Sequence, residues 1–400
     1  MENHQRPSKT IPFKFTGPLD PEQDSLVSII RHEELKEVIK GVSNQTYYAL
    51  VGPRQTGKTT FLFQLSKEIA HSLPGFLGVY LTLEDLVQVK HEEFYKNFAR
   101  KIVSSISNRY QLQPASLKDH YKTISTNLDL KDFLLELAKA KLRPHDPDEL
   151  HSQDDEGCID FEPKEYKGLK FILLVDEIDA IPHDIMIEFV KTVRSLFIER
   201  LSVAGFRCYT MVLCGSADLA SLTYGKTSPF NISKVIYLRD FSYEEIRRWL
   251  NGAFQHLEIH FSDSFAQQLF SQTQGHPYLT QILCFKILTQ LQKENRHEAT
   301  VDDFQVIDEI ITDGDINLLT TLERIKTDEI LQEMTLKILK GDAIRYSRTH
   351  DIIYHLELAG AIRRKDEYCR IRNPIYEKFF KQHFSFSDHN ASLNNCALKN

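Results

Sequence analysis

The residues best suited to chemistry lie in "YALVGPRQTGKTTFL", positions 48–62, where Gly52, Gly57, Lys58 and Thr59 satisfy the spacing G-x-x-x-x-G-K-[ST]. Glycines at such positions permit positive φ and close approach of the backbone to a ligand. The N–H groups of 53–59, Pro53 excepted, can form a concave nest for a phosphate, completed by the start of a following helix. Gly52, Pro53, Arg54, Gln55, Thr56, Gly57, Lys58, Thr59 and Thr60 are therefore the candidate nucleotide contacts. Lys58 would neutralise the β and γ phosphates, and the Thr59 hydroxyl would ligate Mg²⁺. Thr60 is a further candidate for the α-phosphate. The pattern is weak alone; it gains force from a strand before it and a helix after it. The competing reading is a tight strand-to-helix turn with a solvated lysine.

A phosphate loop needs an acid at the end of a neighbouring buried strand to hold Mg²⁺. "FILLVDE" (171–177) supplies Asp176 for the metal and Glu177 to polarise a water for attack on the γ-phosphate. Ser216, closing "MVLCGS", is a candidate for the γ-phosphate or the attacking water, although Ser after Gly is also ordinary turn chemistry. Glu177, Lys58 and Ser216 form the expected catalytic set, Thr59 and Asp176 the expected metal pair.

These groups need a scaffold. Apolar runs at 46–52, 75–86, 169–181, 206–219 and 233–242 alternate with helical patterns at 24–42, 58–71, 88–107, 130–141 and 184–200. Strands that are apolar throughout and separated by helices predict an α/β fold with a parallel sheet covered on both faces. After 242 the pattern becomes helical, opening with a capping box at Ser242 and Glu245. Near the C-terminus a helix stops at Gly360, "AIRRK" and "EYCRIRN" flank a turn, and a last helix follows, the order of a winged helix. The expected layout is an N-terminal arm (1–24), a core (25–242) with an acidic surface loop (143–168), a helical lid (243–315), a winged helix (316–385) and a disordered tail (386–400).

The chain has 400 residues, 42% hydrophobic and 26% charged, with a net charge of −7. That length predicts two or three domains of ordinary globular composition, and the charge argues weakly against a protein coated for nucleic acid. No apolar run approaches a membrane span, and the polar start "MENHQRPSKT" shows no secretory signal. The six cysteines lack metal-type spacing, which fits reduced thiols and a cytoplasmic setting.

The order of these motifs resembles the AAA-like and STAND group of P-loop ATPases, an ASCE/AAA+-like architecture related to origin-recognition ATPases. "GPLDPEQDSLVSIIRHEEL", "GSADL", "SPFNIS", "LRDFSYEEI", "GHPYLTQ" and "RIRNPIYEKFF" are similar to the bacterial AAA-like domain family in particular. The resemblance implies a sheet with the loop-bearing strand between the Ser216 strand and the fifth strand. It also implies ATP or ADP with Mg²⁺ as ligands, and nucleotide contacts from Arg31, His276 and Pro277. By chemistry alone, Pro277 preceded by His276 is a good helix start, and Arg31 fits a surface salt bridge equally well.

One departure bears on rate. Between Ala217 and Leu238 there is no arginine, and the lid helix after Pro277 offers only Lys286 and Lys293. Without an arginine finger, the expectation is a slow ATPase that works as a nucleotide-dependent switch, with a protein partner or self-assembly through lid and winged helix. The alternatives are a DNA-associated loader or transposition-type ATPase, whose support is the basic wing (Arg363, Arg364, Lys365, Arg370, Arg372), and a structural nucleotide binder without turnover. The acids of that region, Asp351, Glu357, Asp366 and Glu367, disfavour DNA.

Overall fold

The computed structural model describes residues 10–113, 116–144, 168–216, 219 and 230–384. The expected acidic loop, apart from its two ends, and the expected tail lie outside these residues. The described residues form two compact units. One takes residues from 10–29, 52–60 and 238–384, the other from 30–51 and 61–237.

The second unit is the α/β body. Its elements are α1 (His32–Ser43), β1 (Tyr48–Val51), α2 (Lys58–Ser72, whose first three residues belong to the other unit), β2 (Phe76–Thr82) and α3 (His91–Ser107). They continue with β3 (Tyr110–Gln113), the short α4 (Leu117–His120), α5 (Asn127–Leu137), β4 (Lys141–Pro144), β5 (Lys170–Asp176), α6 (His183–Glu199), β6 (Tyr209–Gly215) and β7 (Lys234–Tyr237). Five strands pair in parallel in the order β2-β5-β6-β1-β7. β1 thus lies between the Ser216 strand and the last strand, as expected. All of β1, all of β6 and six of the seven β5 residues are buried. Side chains at both parities can be apolar only where helices cover both faces, which is why these strands read as unbroken apolar runs.

Three expectations need correction here. The helix expected over 24–42 begins only at His32, because Asp24 is used to cap a preceding turn, accepting the Asp20 N–H at 2.8 Å. The helix expected over 130–141 runs from Asn127 to Leu137, started by a reciprocal capping box between Thr126 and Asp129. Residues 141–144, read as the end of a helix and the start of a loop, instead pair antiparallel with Tyr110–Gln113. "KLRP" carries no alternation, so only the cross-chain partner makes it a strand.

The first unit holds α7 (Tyr243–His256), β8 (His260–Phe261), α8 (Asp263–Thr273), α9 (Pro277–Lys293), β9 (Glu298–Ala299) and α10 (Val306–Thr312). It ends with α11 (Ile316–Lys326), α12 (Glu329–Lys340), α13 (Asp351–Leu358), the hairpin β10 (Ile362–Lys365) and β11 (Tyr368–Ile371), and α14 over 374–384. The expected capping box at Ser242 and Glu245 is present, with both reciprocal hydrogen bonds made. One hydrophobic core runs from α7 to α14. It also takes in the segment before α1, which includes the end of the expected N-terminal arm (1–24). Phe13 is buried edge-on against Trp249 with ring centroids 5.0 Å apart, and Val27 is fully buried. The segment docks because it carries apolar anchors, which a reading of its polar majority overlooks. Among the described residues no helix is long and apolar enough to cross a membrane.

Gly275 separates α8 from α9. Its φ is +80°, and a Cβ there would lie 1.9 Å from the Phe241 carbonyl oxygen, because the Phe241 N–H donates to the Gly275 carbonyl at 2.9 Å. A backbone that must shift to admit a methyl, at a left-handed φ, costs about 2–4 kcal/mol in total. Gly275→Ala should therefore lower the unfolding free energy reported by Trp249, the single tryptophan, by about that amount. Gly341→Ala is the control, since its φ is +97° but its Cβ meets open space, and about 1 kcal/mol is expected. Equal losses for the two variants would refute the steric account.

Candidate functional site

Candidate residues occur in each of the two units. In the first unit, the chain leaves Val51 of β1 and turns through 52–57 into α2. Gln55 (φ 58°) and Gly57 (φ 79°) both take left-handed conformations, so successive backbone dipoles converge instead of alternating. Gly52 is buried, and a Cβ on it would meet the Leu238 carbonyl at 3.3 Å. The buried Thr56 hydroxyl donates to the Pro53 carbonyl at 2.8 Å, and Lys58 Nζ donates to the carbonyls of Gly52 (3.1 Å) and Pro53 (2.9 Å). Lys58 thus lies over the concave side of its own loop. Arg54 is exposed, and Thr59 stands half-buried in the first turn of α2. Thr60 accepts the Leu19 N–H at 3.1 Å, so its hydroxyl anchors the segment before α1.

In the second unit, register fixes the acids. Val51 of β1 is level with Gly215 of β6, Leu213 of β6 with Val175 of β5, and Asp176 with Thr82 of β2. Asp176 and Ser216 therefore end neighbouring strands at one edge of the sheet, the edge where β1 ends. Asp176 is 1% exposed and accepts the Tyr80 hydroxyl at 3.1 Å. Burial and the Asp176 charge push the Tyr80 pKa well above its ordinary value, so the phenol remains a donor. Glu177 is exposed with φ 54°, and its N–H donates to Asp176 Oδ1 at 2.9 Å. A left-handed glutamate is strained by about 1–3 kcal/mol, the kind of backbone cost that concentrates at functional positions.

Two partners were not anticipated from the sequence. The Asp179 carboxylate accepts the N–H groups of Ser216 and, at 2.9 Å, Leu219, and so holds the turn after β6. The signal was the second aspartate of "DEID", three residues past Asp176. Tyr80, central in β2, gave no sequence signal beyond a strand. Arg31 is 2% exposed at the start of α1, which rules out the surface salt bridge weighed for it.

His276 is completely buried in the first unit. Its Nδ1 accepts the Leu279 N–H at 3.4 Å, capping α9, with Pro277 at the first helical position. Its ring lies nearly parallel to that of Tyr376, 6.0 Å away. Nδ1 as acceptor makes Nε2 the protonated nitrogen. Nε2 is buried with no hydrogen-bond partner among the described residues. Burial, reinforced by the nearby Arg372 charge, lowers the His276 pKa to about 3.

The basic hairpin departs from the expectation of a cationic surface. Arg372 is 2% exposed and grips Asp240 through two nitrogens, at 2.6 and 3.2 Å. Arg363 is half-buried, and its pKa is lowered by burial although the Asp240 charge opposes this. Arg348 lies before α13 and pairs with the buried Glu357 at 2.9 Å through two nitrogens. Of the five hairpin cations, Arg364 and Lys365 are exposed.

The His276 shift has a sign that can be tested. The folded form holds the ring neutral, whereas the unfolded chain takes up a proton below about pH 6.5. Stability is therefore full above that pH and falls as the pH drops towards 3, by up to about 1.4 kcal/mol per unit. His276→Asn keeps a capping side chain but removes the titration. It should flatten the slope between pH 6.5 and 4 in denaturant titrations; an unchanged slope would show that His276 does not titrate this way.

A sequence profile described as "AAA-like domain" matches residues 163–382. No curated protein matches the chain significantly. Among solved structures, the Walker-type ATPase PABY2304 of Pyrococcus abyssi superposes with a TM-score of 0.59 at 15% identity, covering 92% of this chain and 99% of that one. Cdc6p of Pyrobaculum aerophilum gives a TM-score of 0.46 at 15% identity, covering 90% and 98%. At such identities the likeness concerns fold. With its parallel sheet, its glycine-lysine-threonine turn after β1 and the profile match over more than half its length, the chain belongs to the AAA-like domain family and has an α/β P-loop ATPase fold.

Proposed function

We infer that the protein binds ATP and ADP with Mg²⁺ in the turn 52–60 and hydrolyses ATP slowly, as a nucleotide-dependent switch of the STAND type. The observation that carries this reading is the loop itself. Left-handed Gln55 and Gly57 turn its backbone into a nest, and Lys58 is already folded over the concave side. A cationic, donor-rich turn of this kind fits a polyphosphate. The Thr59 hydroxyl and the Asp176 carboxylate are hard oxygen ligands, suited to a Mg²⁺ ion that keeps waters and phosphate oxygens as its remaining ligands. Bound Mg²⁺ would neutralise charge on the phosphates.

In this reading the loop N–H groups and Lys58 bind and orient the phosphates. The Asp176 carboxylate, which accepts the Tyr80 hydroxyl, would serve as a ligand of the metal. The exposed Glu177 carboxylate accepts a proton from water. Ser216, whose N–H donates to Asp179, would orient that water. Arg31, His276 and Pro277 are secondary candidates, and the complete burial of His276 favours a structural role at the start of α9. Slow turnover follows from the arginine-free stretch 217–238. A rate of about 10⁻³–10⁻² s⁻¹ is expected, the range of P-loop enzymes without an added arginine or with one in the same chain. The burial of Arg372 and the half-burial of Arg363 leave fewer cations for a nucleic-acid surface and favour the switch over a DNA loader.

The test is nucleotide binding and Mg²⁺-dependent phosphate release by the purified chain. Lys58→Ala should abolish binding. Glu177→Gln should retain binding and lose turnover at least 10²-fold. Undiminished turnover in Glu177→Gln would point to a site without this general base, and no binding by the native chain would reject the reading.

A further inference from the structure

The basic hairpin β10–β11 leads, in the first unit, to a buried arginine. Arg372, just after β11, is buried between Asp240 and Gly360. Asp240 takes two of its nitrogens, and Nη1 lies 2.9 Å from where a Cβ on Gly360 would stand. The same Cβ position is 3.8 Å from the Cβ of Pro53, the second residue of the phosphate loop. Gly360, at φ +83°, is thus the spacer between the arginine and the loop, and any side chain there would collide with the guanidinium.

Two further donors lie near this point, and a third follows Arg372 in the chain. Arg363 lies in the field of Asp240, and its buried Nε has no partner. His276 feels the charges of both Arg372 and Asp240, and its protonated Nε2 is buried without a partner. Asn373, 2% exposed and next to Arg372, has a buried Nδ2 without a partner. Two guanidiniums therefore face one carboxylate, with spare N–H groups beside a phosphate-binding turn. Buried cations and donors left in this state are costly, and the chemistry that relieves them is an anion with several acceptor oxygens. Guanidinium and phosphate match in charge and in fork geometry.

We propose that Arg372, supported by Arg363, is the arginine that reads the terminal phosphate of a nucleotide held by 52–60, and that Asp240 is its built-in competitor. With a triphosphate present, the guanidinium trades its bond to Asp240 for the γ-phosphate; with a diphosphate, it stays on Asp240. The exchange makes and breaks hydrogen bonds and ion pairs alone. It draws on the hairpin and on α14, which begins two residues after Arg372 and carries Tyr376, so the C-terminal helices respond to the state of the phosphate. This inference rests on the reading of 52–60 as a nucleotide site and adds which residues tell ATP from ADP.

The experiment measures dissociation constants of the full chain for ADP and for the slowly hydrolysed analogue ATPγS, both with Mg²⁺. Arg372→Ala and Arg363→Ala should each weaken ATPγS about tenfold and change ADP less than about twofold. Asp240→Asn keeps the shape of the side chain, releases Arg372 and should raise the preference for ATPγS over ADP. Circular dichroism and Trp249 fluorescence check folding; if Arg372→Ala is misfolded, Arg363→Ala and Asp240→Asn decide. Hydrogen exchange over 362–384 in the native chain should differ between the ATPγS and ADP states. Parallel losses for both nucleotides, or no change in the ratio and identical exchange, would overturn the proposal while leaving the nucleotide site in place. Failure of the native chain to bind either nucleotide would instead remove the reading beneath it.

Discussion

The burial of β1 is the constraint on which the rest depends. Four residues, Tyr48 to Val51, are hydrogen-bonded on both sides, to β6 and to β7, and are between 0 and 2% exposed. A strand paired on both edges and covered on both faces cannot slide by one residue without breaking two ladders and moving every side chain to the other face. Its end is therefore fixed, and the turn that starts at Gly52 starts from a fixed point. The same register places the ends of β5 and β6, with Asp176 and Ser216, at that edge of the sheet.

The helical unit obeys a different constraint. Its core is continuous from α7 to α14 and includes Phe13 and Val27 from the segment before α1. The Gln281 amide donates to the Val27 carbonyl at 2.8 Å, and Thr60 accepts the Leu19 N–H. Polar side chains from α9 and the start of α2 thus satisfy the backbone of a segment with little regular structure, which is what a buried non-helical chain requires. Left-handed backbone recurs at seven described non-glycine residues and at several glycines, and two of these positions stand out. Glu177 is left-handed beside the buried Asp176, and Gly275 is left-handed where the chain pairs with Phe241. In each case a side chain or a backbone contact sits where an ordinary turn would not put it.

Much of the body was legible in the sequence. Residues 48–51, 170–176 and 209–215 read as apolar runs because both parities are buried, and the G-x-x-x-x-G-K-[ST] spacing reads directly because each of its residues acts through local backbone geometry. Helix boundaries were harder. Asp24 could cap a turn or begin a helix, and "KLRP" became a strand only through its pairing with Tyr110–Gln113. Both outcomes turn on partners distant in sequence.

The sequence by itself therefore determined the phosphate loop, the acids that end β5 and the alternation that forces a parallel sheet, since these depend on residue type and short spacing. Tertiary structure alone decided that Arg372 is buried on Asp240 and not exposed on a wing, that His276 is sealed and neutral, and that Asp179 holds the turn of Ser216. A charge 132 positions away from its partner leaves no mark in local pattern. Whether an arginine is a surface cation or part of a buried pair depends on what folding packs against it, because the low dielectric of the interior makes a nearby carboxylate decisive and solvent makes it negligible.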